Sequence, residues 1–186
     1  MNNQTCLFFI ALLPPQEIQD YVTQIKQHFA ECYASRAALK SPPHITLQPP
    51  FKWTTDISTL EEYLGTFASG KKSVPITLEG FAAFPPRVIY VNVLKTQELL
   101  SLQVDLMAQM EKLGIVDKVS KTRPYAPHMT VAFRDLTKQN FRAAWSQFQL
   151  EQLHFDFTAT CLTLLQHDGT RWNVLKDFPF LVEVET

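Results

Sequence analysis

Pro43-His44-Ile45-Thr46-Leu47 is the first of two copies of a short pattern, and Pro127-His128-Met129-Thr130-Val131 is the second. Each copy runs proline, histidine, apolar residue, threonine, apolar residue. Successive side chains of an extended strand point to opposite faces. Each copy therefore predicts a strand that presents an imidazole and a hydroxyl on one face and two apolar side chains to a core. Two such strands across a cleft would form a site of two histidines and two threonines.

The rest of the chain predicts strands and helices in an order that occurs twice. An apolar run at residues 6–13 and an alternating run at residues 88–94 are each followed by a helix with an apolar stripe and then by a motif strand. A further helix and strand come after each motif. This order predicts an internal duplication, with repeats at about residues 5–84 and 87–177, within one domain over residues 1–186. A pseudo-two-fold axis would place the two motifs opposite each other.

Several ends of these elements are also predicted. Ser58 and Glu61 have the spacing of a capping box at the start of a helix. Pro49-Pro50 is expected to end the pairing of the first motif strand. Residues 155–166 are predicted as one strand, with a hairpin turn at Asp168-Gly169 after it. A polar and basic stretch that follows the third helix is expected to be a loop, at residues 115–123.

Composition and charge exclude some classes of protein. The chain has 17 basic and 18 acidic residues, a net charge of −1. This balance argues against binding along a nucleic-acid backbone, but not against gripping one phosphate or one RNA end. Three widely spaced cysteines fit neither a disulfide framework nor paired metal ligands. The apolar run at residues 6–13 is too short to span a membrane and lacks the charged front of a signal peptide, so we expect a cytoplasmic protein with no membrane partner.

The paired histidines point to acid–base chemistry. Histidine can donate or accept a proton near neutral pH, so His44 and His128 can divide the two roles in either assignment. One would take a proton from the nucleophile, and the other would give a proton to the leaving group. This division suits cleavage of a strained cyclic phosphodiester, which requires no metal and no cofactor. The hydroxyls of Thr46 and Thr130 would then bond the non-bridging phosphate oxygens.

Three residues beside the motifs are candidate substrate contacts. Arg123 precedes the second motif and could bind a phosphate, although a solvated surface charge is an equal alternative. Tyr125 and Phe51 could stack on an unpaired RNA base. For both rings, packing in the core is the alternative.

With both motifs in hand, the sequence resembles the 2H phosphoesterases, and within them the bacterial proteins called 2′-5′ RNA ligase-like or RNA 2′,3′-cyclic phosphodiesterases. That family is defined by two His-x-Thr/Ser-x motifs with apolar x residues, here His44-Ile45-Thr46-Leu47 and His128-Met129-Thr130-Val131. The resemblance implies a bilobal α+β fold, with antiparallel sheets lining a central cleft and helices on the outside. It also implies metal-independent opening of a 2′,3′-cyclic phosphate, with the histidines as acid and base and the threonines on the phosphate.

Three functions follow as hypotheses. The first is hydrolysis of 2′,3′-cyclic phosphates at RNA ends or oligonucleotides, with 2′-5′ RNA ligation as the reverse activity. The second is the same chemistry on a small cyclic nucleotide. The third is a non-catalytic module that binds RNA ends or a protein partner. The expected partner of the enzyme is thus an RNA end or small nucleotide that carries a cyclic phosphate, and the sequence predicts no oligomeric state.

Overall fold

The computed structural model describes residues 6–54, 56–116 and 123–181. The helices in these residues are Gln16–Cys32 (α1), the 3₁₀ helix Ala37–Lys40, Ile57–Ser69 (α2), Gln97–Lys112 (α3) and Lys138–Phe148 (α4). The strands are Cys6–Leu12 (β1), Ile45–Trp53 (β2), Val74–Phe84 (β3), Val88–Val93 (β4), His128–Ala132 (β5), His154–Ala159 (β6), Cys161–His167 (β7) and Trp172–Pro179 (β8). Most of the loop expected at residues 115–123 lies outside the described residues. None of the helices described is long and apolar enough to cross a membrane.

The strands form two four-stranded antiparallel sheets. The first sheet has the order β2-β1-β7-β8, and the second has the order β5-β4-β3-β6. The α+β fold implied by the resemblance is therefore confirmed. Each sheet takes strands from both halves of the chain, because β3 joins the second sheet while β7 and β8 join the first. The division into repeats at residues 5–84 and 87–177 stays a prediction.

The two motif strands, β2 and β5, are the edge strands of their sheets and contact each other. The motif histidines and threonines are half-buried. The four apolar residues between and after them are at most 1% exposed and belong to the main core: Ile45, Leu47, Met129 and Val131. The predicted alternation of a polar face and a core face is confirmed, because a strand that buries one face turns every second side chain away from it.

The start of α2 differs from the prediction. Asp56 precedes the first helical residue, and its carboxylate accepts hydrogen bonds from the backbone N–H and the hydroxyl of Ser58 at 3.2 and 2.7 Å. The capping box was wrong because Asp56, and not Ser58, occupies the position whose side chain can reach the unpaired amides of the first turn. Glu61 instead forms an ion pair with Lys176 of β8 at 2.6 Å.

The strand β2 continues through Pro49-Pro50 to Trp53, so the expected end of pairing was wrong. Beyond the prolines, Phe51 pairs with Phe8 of β1, and the register shifts between the two paired segments. Proline cannot donate a backbone hydrogen bond, but an edge strand needs donors on one side only. The position of β2 at the edge of its sheet therefore accommodates both prolines.

Residues 155–166 lie in two strands rather than the predicted one. The chain leaves the second sheet after β6 and enters the first sheet with β7, and Thr160 lies between them. Buried and exposed residues alternate from Asp156 through Thr160, so the pattern does not mark this switch. The hairpin between β7 and β8 is confirmed, and Gly169 has a φ of +103°, in the region that favours glycine.

Candidate active site

The two motifs meet where β2 and β5, the edge strands of different sheets, contact each other. Tyr125 joins them, because its hydroxyl donates a hydrogen bond to the backbone carbonyl oxygen of Thr46 at 2.8 Å. Thr46 and His128 line one cavity with a volume of about 440 Å³. The charge of His128 lowers the pKa of His44, whereas His44 and Thr130 are not among the residues that line this cavity. The fold thus brings the two distant motifs together.

Both imidazoles are held by the same local contact. Nδ1 of His44 lies 2.7 Å from the carbonyl oxygen of Pro42, and Nδ1 of His128 lies 2.7 Å from that of Ala126. A carbonyl oxygen can only accept a hydrogen bond, so Nδ1 carries the hydrogen in both rings. Nε2 is then the nitrogen available for proton transfer. No protein group in the described ranges bonds it in either ring.

The pKa of each histidine lies below its ordinary value. Burial lowers the pKa of His44 to about 4, the positive charges of Lys26 and His128 add to this effect, and the bond to the Pro42 carbonyl opposes it. Burial also lowers the pKa of His128, and the bond to the Ala126 carbonyl opposes that change. Without a ligand, both rings are therefore neutral at neutral pH and can accept a proton.

The threonine hydroxyls have no competing partner in the part of the chain that the structure describes. Thr46 pairs with Ala11 of β1, and Thr130 pairs with Tyr90 of β4. These backbone pairings fix both residues in rigid sheets, while the side chains remain half-buried. Each hydroxyl is therefore available to donate a hydrogen bond to a ligand oxygen.

Aromatic rings flank both histidines. The ring centroid of Phe9 lies 4.7 Å from that of His44, and Trp172 lies 4.6 Å beyond Phe9. The ring of Tyr90 lies 5.2 Å from that of His128. Sequence analysis did not identify these neighbours, because they come from other strands and no local spacing indicates which strands lie beside the motifs.

The three candidate substrate contacts have different positions. Arg123 is exposed and lines the cavity. Tyr125 also lines it, but its hydroxyl is engaged by β2, and burial raises its pKa well above the ordinary tyrosine value. Phe51 is 7% exposed and packs against Phe8, with ring centroids 6.1 Å apart. Phe51 is therefore part of the core, and the expectation that it contacts substrate was wrong.

A buried lysine near His44 was also missed. Lys26 of α1 is 2% exposed, and its ammonium donates to the carbonyl oxygen of Ser41 at 3.1 Å. Burial lowers its pKa to about 7. The sequence does carry a signal, because Lys26 follows the buried Val22 by about one helical turn and so lies on the apolar face of α1.

Within the described residues, no three histidine, cysteine, aspartate or glutamate side chains are placed to hold a metal ion. None of the three cysteines forms a disulfide bond. The expectation that the site works without a metal or cofactor stays a prediction.

The motifs and the elements around them match a known family. The family model of the 2′-5′ RNA ligase superfamily matches residues 14–171, a range that contains both motifs. The chain belongs to the 2′-5′ RNA ligase superfamily. The resemblance to 2H phosphoesterases is thereby confirmed.

Relatives within the superfamily are bacterial proteins of similar length. A Geobacillus kaustophilus protein named "Putative phosphoesterase" is 29% identical over 173 residues, which cover 91% of this chain and 93% of that protein. A Bacillus pumilus protein of the same name is 29% identical over 181 residues, covering 91% and 94%. Membership of the superfamily and these relatives support phosphoesterase activity.

Solved structures share the fold of this superfamily member. The crystal structure of Escherichia coli LigT complexed with 3′-AMP aligns with a TM-score of 0.67 and 21% identity, over 95% of this chain and 99% of that one. The crystal structure of a Thermus thermophilus protein, TT0787, aligns with a TM-score of 0.66 and 18% identity, over 96% and 100%. At these identities the likeness establishes the shared fold.

The cross-motif bond of this superfamily member gives a testable prediction. We expect Tyr125→Phe to lower the free energy of unfolding by about 1 kcal/mol, because it removes a partly buried hydrogen bond between the two motif segments. Urea unfolding of the wild type and the variant measures this difference. We expect the variant to unfold at a lower urea concentration, while the dependence of its unfolding free energy on urea concentration stays the same.

Tyr21→Phe is the matched control. Tyr21 is 43% exposed and packs against Phe155, so removal of its hydroxyl should change stability by less than about 0.5 kcal/mol. If Tyr125→Phe and Tyr21→Phe have equal midpoints, the hydroxyl of Tyr125 does not hold the motifs together.

Proposed function

We propose that this protein is a metal-independent phosphodiesterase that hydrolyses 2′,3′-cyclic phosphates at RNA ends or on oligonucleotides. The observation that carries the proposal is the repeated geometry of the two motifs. In each, Nδ1 is bonded to the carbonyl oxygen two residues earlier, so Nε2 and a threonine hydroxyl are left for the ligand. Two proton-transfer groups and two neutral donors suit a phosphate that is attacked from one side while an oxygen leaves on the other.

The proposed reaction needs only these groups and water. One Nε2 accepts a proton from water as its oxygen bonds to phosphorus. The bond between phosphorus and one ribose oxygen breaks, and the other imidazole gives that oxygen its proton. The products are a phosphate monoester and a ribose hydroxyl. The phosphate anion raises the pKa of nearby histidines, which allows one ring to be protonated in the complex although burial lowers both pKa values beforehand.

The cavity beside the motifs supports a substrate whose terminal nucleotide binds there. Its volume of about 440 Å³ lies in the range of small-molecule pockets, roughly 300–1,000 Å³. Arg123 at its wall adds a positive charge next to His128 and Thr46. The net charge of −1 likewise favours a terminal nucleotide over a long stretch of backbone.

Ligation is also part of the proposal. If the 5′ hydroxyl of a second RNA takes the place of water, its oxygen bonds to phosphorus while the bond from phosphorus to the 3′ oxygen breaks. The same two imidazoles take the proton from the hydroxyl and give one to the 3′ oxygen, and a 2′-5′ linkage results. The name of the superfamily and the 3′-AMP in the LigT crystals support a nucleotide substrate.

The first test is turnover in EDTA. Wild-type protein is incubated with an oligoribonucleotide that ends in a 2′,3′-cyclic phosphate and, separately, with 2′,3′-cyclic AMP. We expect both to be opened to monoesters, with the larger kcat/KM for the oligonucleotide, and we expect EDTA to leave the rates unchanged. The same oligonucleotide with a linear 3′-phosphate is the control substrate and should not react.

Other outcomes separate the alternatives. Equal kcat/KM values for the two substrates would favour the second function, hydrolysis of a small cyclic nucleotide, to which the size of the cavity also corresponds. No turnover of either substrate would contradict the enzyme proposal, and tight binding of the cyclic end without turnover would favour a non-catalytic module.

A cytoplasmic location completes the proposal, since cysteines without disulfides are usual in a reducing compartment.

A further inference from the structure

Two large apolar side chains are exposed in the cavity beside His128. Phe84, at the end of β3, is 41% exposed, and Val104 of α3 is 62% exposed. Both line the cavity, together with the rings of Pro49 and Pro124. Apolar side chains that gather in a concave site contact a ligand that has apolar surface of its own. A phosphate has none, whereas a nucleobase has two broad apolar faces.

The ring of Phe84 is fixed next to the second motif. Its centroid lies 5.3 Å from that of His128, with an angle of 88° between the two rings, and 4.6 Å from that of Tyr90. Tyr90 is 9% exposed and belongs to the adjacent strand β4, so it supports Phe84 from within the second sheet. The exposed part of the Phe84 ring is therefore within reach of the base of a nucleotide whose phosphate lies at His128.

Gln103 of α3 places a buried amide in the wall of the same cavity. The residue is 6% exposed, and its Nε2 donates a hydrogen bond to the backbone carbonyl oxygen of Leu47 at 3.5 Å. A carbonyl oxygen can only accept, so the nitrogen of the amide faces β2, and Oε1 is the end left for the cavity. No group in the described parts of the chain donates to Oε1.

The Leu47 carbonyl decides which kind of group the amide offers to a ligand. If the amide turned over to offer Nε2 to the cavity, Oε1 would lie against the carbonyl oxygen, and two acceptors would meet. The cavity wall therefore holds an acceptor. Adenine and cytosine carry an amino group, which is a donor, where guanine and uracil carry a carbonyl oxygen. The amino group would pair with Oε1, whereas the carbonyl oxygen would leave it unpaired.

We propose that this cavity binds the terminal nucleobase of the substrate and that Gln103 selects a base with an amino group, adenine or cytosine, over guanine or uracil. This inference rests on the proposed function and names the class of RNA end that it takes. Phe84 and Val104 contact the faces of the base, and Oε1 of Gln103 accepts a hydrogen bond from its amino group. Gln103 is thus a specificity-determining residue, and no proton of the reaction passes through it.

The other polar groups of the cavity make opposite outcomes distinguishable. The hydroxyl of Tyr125 is engaged by the Thr46 carbonyl. Arg123 also lines the cavity, and its guanidinium can only donate. If Arg123 rather than Gln103 met the edge of the base, a carbonyl oxygen would be preferred over an amino group. The direction of the preference therefore shows which of the two side chains contacts the base.

The test compares matched pairs of 2′,3′-cyclic nucleotides. Adenosine and inosine are purines that carry the amino group or the carbonyl oxygen, and cytidine and uridine are the corresponding pyrimidines. We expect wild-type kcat/KM to be at least about fivefold higher for the amino member of each pair, the effect of one buried acceptor that is left unpaired. Equal values would mean that Oε1 meets only water, and higher values for inosine and uridine would assign the base edge to Arg123. Either result would overturn the proposal.

Gln103→Met removes the amide and keeps an unbranched side chain of similar length. We expect both preferences to fall to within about twofold of equality, because no acceptor remains to be left unpaired. A purely structural role of Gln103 would instead change kcat/KM for all four substrates by one factor and leave the preferences as they are. Gln97→Met is the matched control, since Gln97 is an exposed residue of α3 that bonds Ser101 and does not line the cavity.

A second pair of variants tests the position of the base. Phe84→Leu keeps an apolar side chain but removes the aromatic face, so we expect the dissociation constants of all four cyclic nucleotides to rise by about fivefold or more. Phe84→Tyr keeps the face and should retain the wild-type constants. Unchanged constants in Phe84→Leu would show that the base does not stack on Phe84, and this placement would fail.

Binding measurements separate failure of this inference from failure of the proposed function. The dissociation constants are measured by calorimetry in a His44→Ala background, in which we expect the substrates to survive, and His44 does not line the cavity. If wild-type protein opens no cyclic phosphate, the proposed function fails, and a preference for the amino members that Gln103→Met removes would still establish the base site. If wild-type protein is active on both members of each pair equally, only the inference about Gln103 fails.

Discussion

Replacement of either His44 or His128 by alanine is expected to reduce kcat on a 2′,3′-cyclic phosphate by at least about a hundredfold, the scale of positioned acid–base catalysis. Each ring is oriented by one carbonyl through Nδ1, so its Nε2 is placed for a single proton transfer. Alanine removes the transferring group but leaves the strand pairing intact, since β2 and β5 are held by backbone bonds and by apolar residues on the other face.

The double variant sharpens this prediction. When two groups act in the same step, loss of the second adds little once the first is gone, so His44→Ala/His128→Ala should be nearly as active as the worse single variant. His154→Ala is the control, because His154 lies on β6, is exposed and pairs with Asp156 away from the cavity. A loss below about tenfold in either single variant, with normal folding, would show that its imidazole is not part of the chemistry.

A second large effect is expected on stability rather than on rate. Lys26→Met should raise the free energy of unfolding by about 2 kcal/mol at pH 7, although it removes the hydrogen bond to Ser41. The pKa of Lys26 is about 7 in the folded protein against 10.5 in an unfolded chain, so the folded state disfavours the charged form. A buried methionine carries no charge and is compatible with the apolar face of α1.

The sign of the pH dependence follows from proton binding. Between pH 7 and 10.5 the unfolded chain holds a proton on Lys26 that the folded chain has largely released, so the wild type gains stability as the pH rises. The advantage of Lys26→Met is therefore largest at or below pH 7 and disappears toward pH 10.5. Urea unfolding of both proteins from pH 6 to pH 10 measures the difference between their free energies of unfolding.

An exposed lysine provides the comparison for this experiment. Lys52→Met on β2 should follow the wild-type curve over the whole range, because its ammonium is solvated in both states. A constant gap between Lys26→Met and wild type from pH 6 to pH 10 would mean that the buried ammonium does not titrate between the two states, and the electrostatic account of Lys26 would fail.

The motif strands could be predicted because the information is local. Polar and apolar residues alternate from His44 to Leu47, and this alternation predicts which side chains face the core. The structure buries the two apolar side chains, Ile45 and Leu47. The repeat of the same pattern at His128 indicated a shared site without any knowledge of distances. The caps of α3 and α4 are equally local, because the hydroxyls of Thr96 and Thr137 accept hydrogen bonds from backbone N–H groups three residues later.

The neighbours of the motifs could not be predicted, because they depend on which strands lie side by side. Phe9 and Tyr90 flank the imidazoles only because β1 and β4 pair with the motif strands. Lys26 was missed because a lysine on an apolar face usually extends to solvent, whereas here the Ser41 carbonyl holds its ammonium inside. The alternation that continues to Thr160 also hid the point at which the chain changes sheets.

The mixing of both halves of the chain in each sheet has a consequence for biosynthesis. β1 leaves the ribosome well before β7, but Phe8 of β1 pairs with Gln166 of β7. During translation, one edge of β1 therefore stays without its native partner until β7 has emerged, while β3, β4, β5 and β6 can already form the second sheet. An open strand edge is a template for pairing with other chains. The nascent protein is thus prone to aggregate in the interval before the β7–β8 hairpin is released.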